Sequence, residues 1–553
     1  MNLPEPQGMS YSTLVSDIEK GLIKIPQFQR DFVWTKEKSA KLLDSIIKGY
    51  PIGTFILWKT NESLRSVRNL GNAKLPVTPV GDQIQYVLDG QQRLTSLFAS
   101  LKGLQIPRDN NKVDDFAEIY IDLTASEPDE IVITDISEKK ETDVIKITDL
   151  INGDITFLAE FPKEFHKKLS EYKRRIESYS FSVILIREVS IDVATEIFTR
   201  INVTGKPLSV FEIMVAKTFD EQKDFDLSEK YSELIEKLRP VNYETISDTT
   251  VLQTVAVILR KECSKSVILK LGKKDFIDVW PAAIDAIERA IEYFRNYYRV
   301  PVSKLLPYNG LIVPFSYFFY HHPNRPTGGK QKYLQDFFWR TSLGGRYSHS
   351  LESRIAQDIK KIDSILKDEL PKYEYPVDLT PEFITKNGWF GTGRSYIKAI
   401  LCLLAYHQPK SFIDNSIVRI SNDWLKQSNS KNYHHFFPKA YLRAETYEEF
   451  YINHIVNITI VDDFLNKREI GHKAPSQYMR SFAKKNPDLE ATMKTHLISL
   501  NKFGIWKDDY GKFFEKRCEV IAKELQKRVI QQDIDKLEQE INLDDLEESE
   551  LEA

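Results

Sequence analysis

No two cysteines in this chain stand at CxxC spacing; the three present, Cys263, Cys402 and Cys518, lie far apart. That argues against a disulfide framework or a cysteine zinc site and for a reducing cytoplasm, with the thiols expected as buried packing groups. No run of eighteen apolar residues occurs, so no membrane-spanning helix is available. The opening MNLPEPQGMSYSTL lacks a basic start followed by an apolar stretch, an expectation against secretion. No GxxxxGK[ST] segment exists, so any nucleotide site is not of the P-loop kind. Charge of one sign is scarce too: the net value is −3, which by itself suggests no nucleic-acid partner.

What is present is an ordinary globular composition, 42% hydrophobic and 28% charged over 553 residues. That length exceeds what one core supports. The charge is unevenly spread. Residues 381–530 hold 24 Lys and Arg against 16 Asp and Glu, whereas 533–553 hold ten acids and one lysine. This pattern suits contact with a polyanion beside an acidic tail, or equally a solvated tail on an ordinary surface. The expected division is a sensor domain over 1–225, a helical spacer or clamp over 226–378, a further domain over 379–530 and an acidic tail over 531–553.

Residues 1–220 read as mixed α and β. Thr35 is placed to cap a helix whose stripe is Leu42, Leu43, Ile46 and Ile47. TFILWK, QYVLD, AEIYIDL and SFSVILIREV read as strands. RLTSLFASLKG reads as a helix closed by Gly103, and Ser209 and Glu212 stand at capping-box spacing. The middle is helical and aromatic-rich, broken by the loop HHPNRPTGGK. Beyond 380, short helices surround a β-like HIVNITIVDD. The tail is expected to continue the last helix.

Three polar clusters stand out. In YVLDGQQRLTSLF a strand ends at Asp89-Gly90, and Gln91, Gln92 and Arg93 open a helix. Such a turn exposes backbone N–H groups at the positive end of a helix dipole, a natural anion site. Gly90 would allow close backbone approach, Arg93 could fork a phosphate, and Asp89 could hold a metal or polarise a water. Taken alone, the pentapeptide reads more simply as a polar turn whose arginine pairs with an acid. In IPQFQRDFVW, Gln29 and Arg30 interrupt apolar sequence, so Arg30 must be paired or line a cavity. In FTRINVTGKPLS, Arg200 and Asn202 precede a Gly-Lys-Pro turn.

The fourth cluster is KNYHHFFPKAYL, in a chain with ten histidines. Neighbouring residues of a strand face opposite ways, so His434 and His435 cannot easily do one job twice. A lone His-His pair is more often structural than catalytic. Here Asn457 follows inside HIVNITIVDD and Asn466 opens NKREIGHKAPSQYM, read as a helix. Strand, strand and helix with His-His, Asn and Asn is the plan of a His-Asn-His (ββα-metal) nuclease. One histidine and a helix ligand would hold a single divalent ion, while the other histidine, with its pKa near 6.5, takes a proton from water. An asparagine on the second strand would bind backbone across the loop and orient that base. His472 is a rival ligand; His454, just before the strand, is a less natural one.

Together these motifs resemble a known family. IPQFQRDFVW, VLDGQQRLTSL and FTRINVTGKPLS resemble the N-terminal domain of GmrSD-type modification-dependent (type IV) restriction enzymes and related SspE-like defence proteins. That domain has a ParB/sulfiredoxin-like α/β core in which DGQQR belongs to a nucleotide-hydrolysing site. YHHFFPKAYL with VNITIVDDFLNKREIGHKAPSQYM resembles the family's C-terminal nuclease domain. The resemblance implies an α+β multidomain chain whose C-terminal, mostly helical domain carries a ββα-metal motif. It implies a nucleotide site at Asp89, Gly90, Gln91, Gln92 and Arg93, with Asp89, Gln92 and Arg93 acting in hydrolysis and Gln29 and Arg30 close by. Phe28, Gln29 and Arg30 are the residues it offers for sensing modified DNA. It makes His435 the general base, Asn457 its orienting residue, and His434 and Asn466 the metal ligands. Phe436, Val456 and Phe28 depart from the residues common in the family.

The expected activity is therefore a cytoplasmic, nucleotide-regulated DNA endonuclease of anti-phage defence, nicking or cleaving modified DNA. It would use Mg2+ or Mn2+ and GTP or another nucleoside triphosphate, with a homodimer left open. The basic 381–530 region would supply sequence-independent attraction to phosphates, and the acidic tail would compete for that surface. Two rivals stand: a nucleotide-switched DNA-binding protein whose His-Asn-His domain is only structural, and a simple signalling triphosphatase.

Overall fold

The computed structural model describes residues 6–536, except 27–28, 30–31, 62–63, 65, 68, 71–72, 75, 77, 80, 109–111, 127, 190, 202–208, 221, 423–432 and 462–469. The chain divides into two compact units, Met1–Leu227 and Ser228–Ala553. The first is mixed α/β and the second largely helical. Among the described residues no helix is long and apolar enough to cross a membrane.

The first unit is built on one mixed sheet. Its strands are β1 (Pro6–Ser10), β2 (Ile23–Pro26), β3 (Thr54–Thr60), β4 (Ser66–Val67), β5 (Ile84–Asp89) and β6 (Ser180–Arg187). Their order across the sheet is β1-β6-β3-β5-β2-β4. β6 runs parallel to β3, from Ser182 opposite Thr54 to Arg187 opposite Lys59; β5 is antiparallel to β3 and parallel to β2. The register slips between Ile56 and Leu57, which pair with Asp89 and Val87. Leu88 is thus an extra residue, and this bulge bends β5 just before the Asp89-Gly90 turn. AEIYIDL joins a separate small sheet through Tyr120–Asp122, outside the main one.

The helices start and stop where short-range chemistry dictates. Thr35 caps α1 (Lys36–Ile47) by accepting from the Lys38 N–H at 3.4 Å, and the stripe Leu42, Leu43, Ile46 and Ile47 is buried. Gly90 (φ 93) opens α2 (Gln91–Lys102) and Gly103 (φ 61) closes it, both in the left-handed region that suits glycine. Ser209 and Glu212 form the complete capping box of the helix Val210–Thr218.

The second unit packs long helices around aromatic side chains, as where Tyr298 stacks on Phe338 with ring centres 4.2 Å apart. Three sequence expectations are corrected here. Among the described residues of HIVNITIVDD only Ile458–Ile460 is strand, and Asn457 ends a single 3-10 turn before it. NKREIGHKAPSQYM is not one helix: Gly471 takes φ 56 and a helix begins afresh at Pro475. The C-terminal segment does not prolong the last helix, which ends at Gln526. Instead, Asp535 forks the buried Arg340 guanidinium at 2.6 and 2.8 Å, and the Ile530 N–H donates to Asp336 at 2.7 Å. The first residues of the expected acidic tail are therefore docked.

Candidate functional site

The His-His stretch lies on a two-stranded antiparallel ribbon, β7 (Tyr433–His435) against β8 (Ile458–Ile460). His434 is opposite Thr459 and His435 opposite Ile458. Strand alternation puts the two imidazoles on opposite sides: His434 is buried and His435 half-buried. Phe436 and Phe437 drive the chain inward after the strand. Both are fully buried, with ring centres 5.1 and 5.0 Å from Phe513.

Asn457 clasps that loop. Its Oδ1 accepts from the Phe437 N–H at 2.8 Å, and its Nδ2 donates to the carbonyls of Phe437 (3.0 Å) and Ile452 (3.1 Å). With its amide spent on backbone, Asn457 shapes the loop and does not reach the base. The base is held by a residue that sequence reading passed over. Asn453 Oδ1 lies 3.1 Å from His435 Nε2, and Asn453 Nδ2 donates to the Phe390 carbonyl at 3.1 Å. The carbonyl can only accept, so it sets which way the amide faces. His435 Nε2 then carries the proton and Nδ1 keeps a lone pair. Burial, followed by the Lys439 ammonium, pulls the His435 pKa down to about 4.

His434 tells a complementary story. The Thr459 hydroxyl donates to the His434 carbonyl at 3.2 Å, so toward Nδ1, 3.3 Å away, it acts as acceptor. That fixes the proton on Nδ1 and leaves Nε2 with its lone pair, the tautomer a metal ligand needs. Burial, ahead of the neighbouring His435, pulls the pKa down to about 3, so the ring is neutral. The donor chemistry at His434 thus fits a divalent ion. Asn466, the expected second ligand, lies outside the described residues. Among the described residues no three His, Cys, Asp or Glu side chains gather as a metal-holding group. His454 is structural, with Nδ1 accepting from the Val456 N–H at 3.1 Å and Nε2 3.2 Å from the Thr385 carbonyl. His472 sits exposed in the turn after Gly471. The cysteines are free and buried, and burial raises their pKa values, that of Cys263 to about 12 and that of Cys518 to about 11.

In the first unit the DGQQR turn is a braced corner. Arg93 donates to the carbonyls of Ile52 (2.8 Å) and Thr54 (3.0 Å) and to Asp89 Oδ2 (3.1 Å), lying over the Phe55 ring. A Cβ on Gly53 would stand 2.2 Å from Arg93 Nη1, so the glycine of YPIG makes room for the guanidinium. In this arrangement Arg93 holds β3 to β5 and does not extend toward a phosphate. Gln29 Nε2 donates to the carbonyls of Val87 (2.9 Å) and Leu88 (3.1 Å), the two exposed by the bulge. Gln92 Oε1 accepts from the Val33 N–H at 2.9 Å. Asp89 remains about a third exposed (34%) at the strand end. Gln91 is buried beside Gln92. Phe28, Arg30 and Asn202 lie outside the described residues, and Arg200 is an exposed side chain paired with Glu196 at 2.6 Å.

A curated protein of Methanocaldococcus jannaschii, named uncharacterized protein MJ0686, is 25% identical over 591 aligned positions, covering 93% of this chain and 97% of its own length. Residues 11–219 match the family profile described as GmrSD restriction endonuclease, N-terminal domain. The first unit, with its mixed sheet and braced DGQQR corner, is thus the part of the chain that is similar to a GmrSD restriction endonuclease N-terminal domain.

Proposed function

We propose that the chain is a nucleotide-regulated, metal-dependent DNA endonuclease of anti-phage defence, cutting or nicking modified DNA at His435. The observation that carries this reading is the state of His435: half-buried, neutral, its Nε2 proton held by Asn453 and its Nδ1 lone pair available. The restriction-endonuclease match of the first unit supports DNA as the substrate.

His435 Nδ1 takes the proton of the attacking water, a step that contributes about 10²–10⁴-fold. Asn453 keeps the ring in the tautomer that can do so. Asn457 holds the loop from which the ring projects. Lys439, close enough to depress the His435 pKa, attracts the phosphate. A divalent ion, Mg2+ or Mn2+, held by His434 and Asn466 would supply Lewis acidity at that phosphate.

In the first unit, a GTP or other triphosphate would lie at the N-terminal end of α2, beside Asp89, Gly90, Gln91 and Gln92. Arg93 serves there by bracing Asp89. Phe28, Gln29 and Arg30 are the residues proposed to read nucleotide or DNA modification.

The test is nicking of supercoiled plasmid with Mg2+ or Mn2+, with and without GTP or ATP, on unmodified, glucosylated-hydroxymethylcytosine and phosphorothioate DNA. The expected result is nicking by the wild type, lost in His435→Ala with DNA binding retained. Equal nicking by both proteins, or binding without nicking under every condition, favours a nucleotide-switched DNA-binding protein instead.

A further inference from the structure

Arg108 belongs to none of the motifs, yet it grips the segment that faces the DGQQR corner. Gly103 turns the chain after α2, and the chain returns as a hairpin of Gln105–Pro107 paired with Val113–Asp115. Just past the first of these strands, Arg108 Nη1 and Nη2 donate to the carbonyls of Phe32 and Trp34, each at 2.5 Å. Its Nε donates to Asp114 Oδ2 at 2.9 Å, and the guanidinium lies 5.1 Å from the centre of the Phe32 ring. A planar fork held on all its edges is a rigid fixture. Close by, Phe116 packs on Phe32 with ring centres 5.8 Å apart, and Glu118 pairs with Lys36 at 2.6 Å. The hairpin and the residues after it thus hold the chain from Phe32 to Lys36.

The other side of that segment belongs to Gln92. The Phe32 carbonyl and the Val33 N–H are the two ends of one planar, trans peptide unit, so they point opposite ways. Arg108 takes the carbonyl, and Gln92 Oε1 accepts from the N–H at 2.9 Å. An N–H only donates, so the Gln92 amide must turn its oxygen to Val33. Its Nε2 donates to Gln91 Oε1 at 3.4 Å. A shift of the peptide would carry the Val33 donor away, and the amide would lose the bond that sets which way it faces. One guanidinium therefore fixes a side chain at the opening of α2 without touching it.

We propose that Arg108 is a positioning residue of the nucleoside triphosphate site, holding the Gln92 amide in place through the Phe32–Val33 peptide. This rests on the reading that the triphosphate lies at the N-terminal end of α2 and that Gln92 acts in its hydrolysis.

The experiment follows hydrolysis of GTP and ATP by the full chain in steady state, with binding of a fluorescent GTP analogue measured separately. Wild type is compared with Arg108→Lys, Arg108→Gln, Gln92→Leu and Arg108→Lys/Gln92→Leu, with melting curves as fold controls. Lysine keeps a cation beside Asp114 but cannot fork two carbonyls. Arg108→Lys should lower kcat on the order of tenfold and leave affinity for the analogue within about twofold, since a misplaced group costs rate more than binding. In the Gln92→Leu background the same change should add little, because both substitutions remove one orientation. Amide hydrogen exchange across residues 32–34 should quicken in Arg108→Lys, a measurement that stands even if Arg108→Gln melts too early to assay.

Losses that multiply in the double variant would overturn the proposal. So would unchanged exchange, or an unchanged kcat in Arg108→Lys beside a lowered melting temperature, which would make Arg108 a plain structural brace. Gln92→Leu hydrolysing as fast as wild type overturns it too, while the nucleotide reading of the corner stands. A wild type that hydrolyses neither nucleotide removes the role of Gln92 and the proposal with it. Retained binding of the analogue would then leave the nucleotide site standing, and absent binding would overturn both.

Discussion

An imidazole whose pKa is drawn down to about 4 keeps its lone pair well below neutrality. A depressed pKa means the neutral, base-competent form survives to lower pH. The acidic limb of kcat/KM for nicking should therefore fall near pH 4 to 5 and not near the ordinary 6.5 of histidine. Lys439→Ala, which removes a repelling cation, should move that limb upward. Asn453→Ala frees the ring to turn and to change tautomer, and it should lower kcat by about 10- to 100-fold while the duplex still binds. Asn457→Ala should act differently. It strands the Phe437 N–H and two carbonyls in a buried loop, at about 1–3 kcal/mol for each buried group left unpaired. Its signature is a lower melting temperature, read by calorimetry without metal or DNA.

At the scale of elements, the bulge in β5 and the turn of YPIG cooperate to aim one corner. The extra residue Leu88 leaves carbonyls that the ladder cannot satisfy, and Gln29 satisfies two of them. Gly53, at φ +88, leaves the space that Arg93 fills. Gly53→Ala should destabilise the first unit by about 2 kcal/mol or more, through backbone strain and a clash. Arg93→Ala should cost a similar amount, by stranding the Ile52 and Thr54 carbonyls. In the double variant the clash partner is gone, so the two losses should sum to more than the measured total, a coupling that denaturant titration of all four proteins would reveal. Strict additivity would show that Arg93 is not what Gly53 accommodates.

For the molecule as a whole, two features set stability. The C-terminal segment supplies Asp535 to a fully buried arginine. Truncation after 529 removes the Asp535 fork and leaves the buried Arg340 only Asp336, 3.8 Å away, at a cost of about 3–5 kcal/mol, whereas truncation after 536 retains that fork. The shorter deletion is therefore the proper probe of whether the acidic tail competes with DNA. The second feature is the buried His434, His454 and His496 with the half-buried His435, all with pKa values lowered to about 3 or 4. The unfolded chain gains protons at these groups as pH falls through about 6.5, while the folded chain does not until near 4. Stability should hold above neutrality and decline steadily between pH 6.5 and 4, most in the second unit. A flat melting temperature across that window would contradict their burial as neutral rings.

Thr35, Gly103 and the Ser209–Glu212 box act on residues within four positions of themselves, so their roles could be read from neighbouring letters. The alternation of His434 and His435 and the existence of the two units' different classes were likewise written locally, in side-chain period and composition. The partners that define the corners are another matter. Arg93 reaches 41 residues back to Ile52, Gln29 reaches 58 residues forward to Val87, Asn453 orients on Phe390 63 residues away, and Arg340 meets Asp535 across 195. Nothing in a local window distinguishes Asn453 from Asn457, because an amide's task depends on which carbonyls the fold brings to it. The primary structure thus settled which groups could act as base, ligand or brace. The choice among them fell to long-range packing, since buried hydrogen bonds are assigned only when distant backbone is brought within reach.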